Sequence, residues 1–501
     1  MSKTKPVIIL ITTDEQHCES LSSWGAKSHA TPNIDSIGKK GDFYTNCYTA
    51  SPICLPARCS IATGLYPHNT RSYSNRYGAS LNPALPNLFS ICRDAGYVTS
   101  LHGKGHFTPC PYGIAKRYIT KELAIVKPFY LSLGMDYCDL QDDKNNSLWF
   151  YDDYSTDLEK NNLLKTARDA RAGKIGQHTA GYFFPGPREM HPDSWVGQKA
   201  VEYIEAAEQE KPYFLWVSFS GPHYPIDTPR EYYDLVNIEN DNPRIRKEGE
   251  FSQDTKSGYH SYHGPRGTEG CAGAPGRAQK NYTQEYWREW RRMYYGNVLL
   301  IDDYVGRILD AAENKWGDNI LVIFTSDHGD MMGNHDMWGK NLAVYEDVVK
   351  VPFMIKYPGQ TQGNIHDELI SSIDIFPTIA SYAGYDKPYT CDGKPLAELK
   401  QGHDYVLSEA EGRMFIITKN KEKLVHSRTS IGSKENRVER EYFEYYDLEK
   451  DPYEFTNRYK DPACGQGLSK CREIYGKYQK EIDNILFFDK YGEEVPPWFI
   501  E

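Results

Sequence analysis

Four short apolar runs in this chain each give way at once to residues that carry chemistry. Val7-Ile8-Ile9-Leu10-Ile11 leads to Asp14 and Glu15, and Tyr97 to Leu101 leads to Gly103, Lys104 and His106. Tyr213 to Phe219 leads to Pro222 and His223, and Ile320 to Phe324 leads to Asp327 and His328. Near-continuous apolar runs suit strands covered on both faces, as in a parallel sheet. Helix patterns lie between them: Pro86 to Ala95 closed by Gly96, Thr283 to Glu313 with Tyr286, Trp290, Met293, Leu300 and Ile308 at helical spacing, and Asp374 to Ala383 closed by Gly384. The alternation predicts an α/β fold. In such sheets ligands sit beyond the carboxyl ends of the strands, so these distant polar residues are expected in one cleft.

Two regions break the pattern. Residues 138–195 are rich in Asp, Asn and aromatics, and residues 237–282 in Gly, Pro, Arg, His and Ser. Both read as long surface insertions, a frequent location for function. Beyond about Gly384 the texture shifts to short strand-like pieces such as Met414 to Thr418 and Glu444 to Asp447. The expected division is a catalytic α/β domain over 1–385 and a smaller α+β domain over 386–501.

Composition narrows the functional classes. The 69 acidic and 58 basic residues give a net charge of −11, which argues against general affinity for nucleic acid or anionic membrane. An anionic substrate must therefore be attracted by local positive groups. The first residues lack the pattern of a signal peptide, and no stretch is apolar for long enough to span a bilayer. The 11 cysteines are odd in number and scattered, which fits a reducing cytoplasm as the expected location.

Asp14 and Glu15 at a strand end can supply hard oxygen ligands to Ca²⁺ or Mg²⁺, or form a solvated acidic turn. Asp327 and His328 can ligate a metal or cap a helix. The stretch from Ser51 to Thr70 carries more information: Cys54, Pro56 and Arg58 form Cys-x-Pro-x-Arg, followed by Thr63-Gly64-Leu65-Tyr66-Pro67. This segment closely resembles the signature of the sulfatases. Gly96-Tyr97 leading to Gly103-Lys104 and His106 resembles the second sulfatase signature, with His102 departing from the residue usual there. Thr325-Ser326-Asp327-His328-Gly329 and Gly221-Pro222-His223-Tyr224-Pro225 also resemble family segments.

The resemblance implies an alkaline-phosphatase-like fold: a large, mostly parallel mixed sheet sandwiched by helices. It implies conversion of Cys54 to formylglycine by a maturation enzyme, the aldehyde hydrate then attacking a sulfate ester. It implies one divalent cation, Ca²⁺ ahead of Mg²⁺ or Mn²⁺, held by Asp14, Glu15, the residue at 54, Asp327 and His328. Glu15 is longer than the Asp usual at its position. Arg58 is expected to fix the modified side chain, Lys104 to neutralise sulfate oxygens and His106 to orient or deprotonate the hydrate. His223 and Lys340 are expected at the bridging oxygen and the sulfate, with Asn75 as an amide contact. The activity so implied is hydrolysis of a sugar or aryl sulfate monoester. The alternatives are a phosphonate monoester or phosphodiester hydrolase of the same superfamily, and a non-catalytic protein that binds a sulfated ligand. The Trp287-Arg288-Glu289-Trp290-Arg291-Arg292 run reads as the solvated face of a helix rather than a nucleic-acid site.

Overall fold

The computed structural model describes residues 5–75, 80–108, 122–144, 147–150, 152–174, 181–239, 241–244, 283–340, 345–410, 412–431 and 438–491. In chain order its strands are β1 (Val7–Asp14), β2 (Asp42–Tyr48), β3 (Val98–Gly103), β4 (Tyr137–Leu140), β5 (Tyr213–Pro222), β6 (Ile320–Ser326), β7 (Lys350–Lys356), β8 (Ile365–His366) and β9 (Ile370–Ser371). These form one sheet in the order β4-β3-β5-β1-β6-β7-β2-β8, with β9 also on β2. Pairing is parallel from β4 through β6, and β7 runs antiparallel to both β6 and β2.

The apolar runs are continuous because both faces of the sheet are covered. Ile9 and Ile11 of β1, Leu215 and Val217 of β5, and Val322 and Phe324 of β6 pack on one core beneath the Pro192–Ala206 and Gln284–Trp316 helices. Ile8, Leu10, Phe214, Trp216, Leu321 and Ile323 point the other way, into a second core with the Cys54–Thr63, Leu88–Asp94 and Ile375–Ala383 helices. A strand buried on both sides has no polar register, so alternation disappears from its sequence.

A second, antiparallel sheet holds β10 (Tyr405–Ala410), β11 (Arg413–Thr418), β12 (Glu422–Ile431) and β13 (Val438–Asp447) in sequential order. The long Gly465–Tyr491 helix packs against it through Leu468, Cys471 and Ile474. Lys423 of β12 is buried and ties this sheet to the main body, 2.8 Å from Glu454 and 3.1 Å from Glu346. Among the described residues no helix is long and apolar enough to cross a membrane.

Two expectations change here. Residues 138–195 are not a surface insertion: they contribute most of edge strand β4, buried Tyr154 and Leu158, and the start of the Pro192–Ala206 helix. Asp143 and Asp193 are buried against Lys104 and Lys144, which a polar composition does not reveal. Arg291 is likewise no part of a solvated face. It is buried and donates to the Met332 carbonyl, Asp241 and Asn334. Most of 237–282 lies outside the described residues.

Candidate active site

Strand register sets the core of the site. Thr13 of β1 pairs with Ser326 of β6, so Asp14 and Asp327 emerge side by side where the two parallel strands end. On the other side of β1, Asp14 is level with Pro222 of β5, which delivers His223 to the same rim. Gly103 of β3 pairs with Ser218, and the Lys104 amide donates to the Ser218 carbonyl at 2.9 Å. Four strands thus present their carboxyl ends to one pocket.

Cys54 is the first residue of the Cys54–Thr63 helix, whose N-cap Ile53 offers no side-chain acceptor. The unpaired amides and dipole of that end favour negative charge on residue 54. Its Sγ lies 3.2 Å from His328 Nε2 and 3.8 Å from Asn75 Nδ2. Asn75 Oδ1 also accepts the Leu55 amide at 3.0 Å, so this side chain braces the helix start as well as facing the thiol. Burial opposes ionisation of the thiol, but Lys340, Lys104 and His328 outweigh it, and a hydrogen bond from His106 adds to them. The thiol is held well below its ordinary range.

Arg58, one helical turn on, is fully buried. Its Nε donates to Asp327 Oδ2 at 2.8 Å, and one terminal nitrogen donates to the Lys104 carbonyl and to Ser218 Oγ, both at 2.7 Å. The guanidinium therefore joins three strand ends to the helix that carries Cys54. Lys104 Nζ contacts Asp14 and lies 3.2 Å from Asp143. His106 takes a positive φ of 50°, held by Asp142, whose carboxylate accepts the Gly105 and His106 amides.

Asp14, Cys54, Asp327 and His328 bring one ligand atom each to within 4.8 Å of one another, all buried. Asp14 Oδ1 has no hydrogen-bond partner there. Burial and Cys54 push Asp14 upward, yet Lys104, His223 and Arg58 outweigh them and keep it ionised, whereas Asp327 is pushed up by burial and by Asp14. The His328 Nδ1 contact with the Gly329 carbonyl, 3.0 Å, aims Nε2 into the cluster. Burial disfavours its imidazolium, but Asp327 raises it to about 9. Two repelling carboxylates, one with an orphaned oxygen, and an oriented imidazole that a cation would relieve of its proton form a donor set that fits a divalent cation.

Glu15 departs from the expectation. Its backbone takes a left-handed φ of 64°, and its carboxylate faces His223 Nε2 at 3.1 Å and Lys340 Nζ at 3.6 Å, outside the four-residue group. His223 and Lys340 are themselves 3.0 Å apart. Burial would lower His223, but Glu15 prevails over burial and Lys340, and its proton is held above the ordinary imidazole value. Sequence reasoning missed Asp142 and Asp143, which hold His106 and Lys104 from behind. Their position as an acidic pair just past a strand was the available signal.

The sulfatase family model matches residues 6–385, and a model described as N-sulphoglucosamine sulphohydrolase, C-terminal matches residues 333–480. An arylsulfatase of Clostridium perfringens is 28% identical over 493 residues, covering 94% of this chain and 93% of its own. Among solved structures, phosphonate monoester hydrolase of Agrobacterium radiobacter superposes with a TM-score of 0.76 at 23% identity, over 95% of this chain and 96% of that one. A structure in complex with its substrate D-glucosamine-2-N,6-O-disulfate gives 0.68 at 18% identity, over 96% and 98%. The chain belongs to the sulfatase family. It is, by that membership, a sulfuric ester hydrolase built on the alkaline-phosphatase-like fold.

Proposed function

We propose that this protein hydrolyses a sulfate monoester of a sugar or aryl alcohol, with a formylglycine made from Cys54 and one divalent cation, Ca²⁺ first. The observation that carries the reading is the setting of Cys54: a helix N-terminus, 3.2 Å from His328, with Lys104 and Lys340 both acting on its thiol. The hydrate of that aldehyde would supply a hydroxyl nucleophile where cysteine offers sulfur. Asp14, Asp327 and His328 would hold the cation, which would supply charge stabilisation to the sulfate group. The chain's own residues do the rest. Arg58 fixes the helix start against Asp327, Lys104 and Lys340 offset the charge of the sulfate group, and His106 orients residue 54. His223, held protonated by Glu15, donates to the bridging oxygen as the alcohol leaves. Asn75 contributes an amide to the same pocket.

Hydrolysis of a phosphonate monoester or phosphodiester is the second reading, favoured by the overall superposition on a phosphonate monoester hydrolase. Lys104 together with His106 leans toward sulfate by family resemblance, since two cation-capable groups are typical of the sulfatase cleft. The arylsulfatase relative and the sugar-disulfate complex support the two leaving-group classes. The nine described cysteines are free thiols, which supports a reducing compartment as the working location. The experiment is a screen of sulfated sugars and aryl sulfates with protein co-produced with a formylglycine-generating enzyme. Peptide mass spectrometry reports the aldehyde at position 54, and Cys54→Ala is the blank. Aldehyde formation with no sulfate released from any ester would refute the proposal.

A further inference from the structure

Asp143 and Lys144, neighbours beyond β4, reach two different parts of the site. Asp143 lies 3.2 Å from Lys104 Nζ. Lys144 is wholly buried, its Nζ 2.8 Å from Asp227 Oδ1, 2.7 Å from Asn297 Oδ1 and 3.3 Å from Asp193 Oδ2. Asp193 Oδ1 accepts the Gly221 amide at 2.7 Å, and its Oδ2 accepts from Asn297 Nδ2 at 3.0 Å. The packing leaves no room for a side chain at Gly221, where a Cβ would stand 2.4 Å from Asp193 and 2.5 Å from Asn297. Two residues later comes His223.

We propose that Lys144 is a positioning residue for His223, acting through Asp193 and the Gly221 amide, so that the Asp143-Lys144 pair sets the spacing of Lys104 and His223 across the pocket. The physical reason is charge. Two buried carboxylates, Asp193 and Asp227, share the buried Lys144 ammonium, with His191 beside them at 3.8 and 3.3 Å, and Asp193 in turn grips the Gly221 amide. Burial would lower the Lys144 ammonium, but Asp193 and Asp227 outweigh it and keep it charged. Removing that ammonium takes the nearest cation from the buried Asp193 carboxylate, and the turn ahead of His223 loses a firmly held anchor.

The inference rests on the sulfate-ester reading for its assay alone. Lys144→Met, and Lys144→Met/Asp227→Asn should the single variant fold poorly, are combined with His223→Ala in a double-mutant cycle on an aryl sulfate. In the parent background the change lowers kcat about tenfold or more with a smaller effect on KM. In the His223→Ala background it costs less than about threefold. Equal losses in both backgrounds overturn the proposal. Crystal structures supply the readout that needs no activity: the Gly221–His223 turn shifts in the variant while Asp14, Asp327 and His328 superimpose. A turn that stays in place overturns it. A matured parent without activity on any sulfate ester defeats the sulfate reading, and the position of the turn still decides the role of Lys144.

Discussion

Glu15 shows how one backbone angle reassigns a side chain. A non-glycine residue in the left-handed region is uncommon, and here the carboxylate stands against His223 and Lys340, outside the four-residue cluster of Asp14, Cys54, Asp327 and His328. Its work is then to keep a proton on His223. With glutamine at position 15, His223 loses the largest influence that holds its proton against burial and Lys340, so the pH above which the proton is lost must fall. Glu15→Gln is expected to move the alkaline limb of the kcat profile to lower pH and to lower kcat at neutral pH about tenfold, with cation affinity little changed. Titration of activity against pH and of cation binding by calorimetry check this together. An unmoved limb with cation affinity reduced tenfold or more would return Glu15 to the cation, as the sequence resemblance implied.

At the scale of elements, the strand ends work because close backbone contacts hold them level. Gly103 has a φ of 101°, and a Cβ there would stand 2.1 Å from the Ser218 carbonyl and 2.9 Å from Val196. No side chain fits, and the next residue is Lys104. Gly103→Ala is expected to cost about 2 kcal/mol or more, read as a lower urea midpoint, and to reduce kcat/KM as Lys104 shifts. An unchanged midpoint would contradict the close packing of β3 on β5. These elements were legible in the sequence because Ile8 and Leu10 on one face of β1, and Ile9 and Ile11 on the other, are all apolar. Gly96, with a φ of 86°, likewise marks the end of its helix plainly, whereas the Asn87 cap at the start emerged only from the structure. Residues 138–195 were not legible. Asp142, Asp143, Lys144 and Asp193 look like solvent-facing charges until their partners, which lie far away in sequence, are known.

Across the whole molecule, a chain of net charge −11 places buried Arg58 and Lys104 and half-buried Lys340 at one rim of its sheet, with His223 and His328 beside them. Local charge of this kind, in a water-poor pocket, attracts and holds an anionic ester that the surface as a whole does not. The candidate residues converged because Asp14, Lys104, His223 and Asp327 each follow a strand of one parallel array, which is why motifs hundreds of residues apart could be joined from sequence. The leaving-group pocket was not legible, since no periodic pattern constrains the segments around it. The most direct test of the account is the ratio of kcat/KM for an aryl sulfate to that for the matching aryl phosphonate, measured on matured protein with cation present. The account predicts a ratio well above one that disappears in Cys54→Ala; a ratio below one, or sulfate release that survives Cys54→Ala, would contradict it.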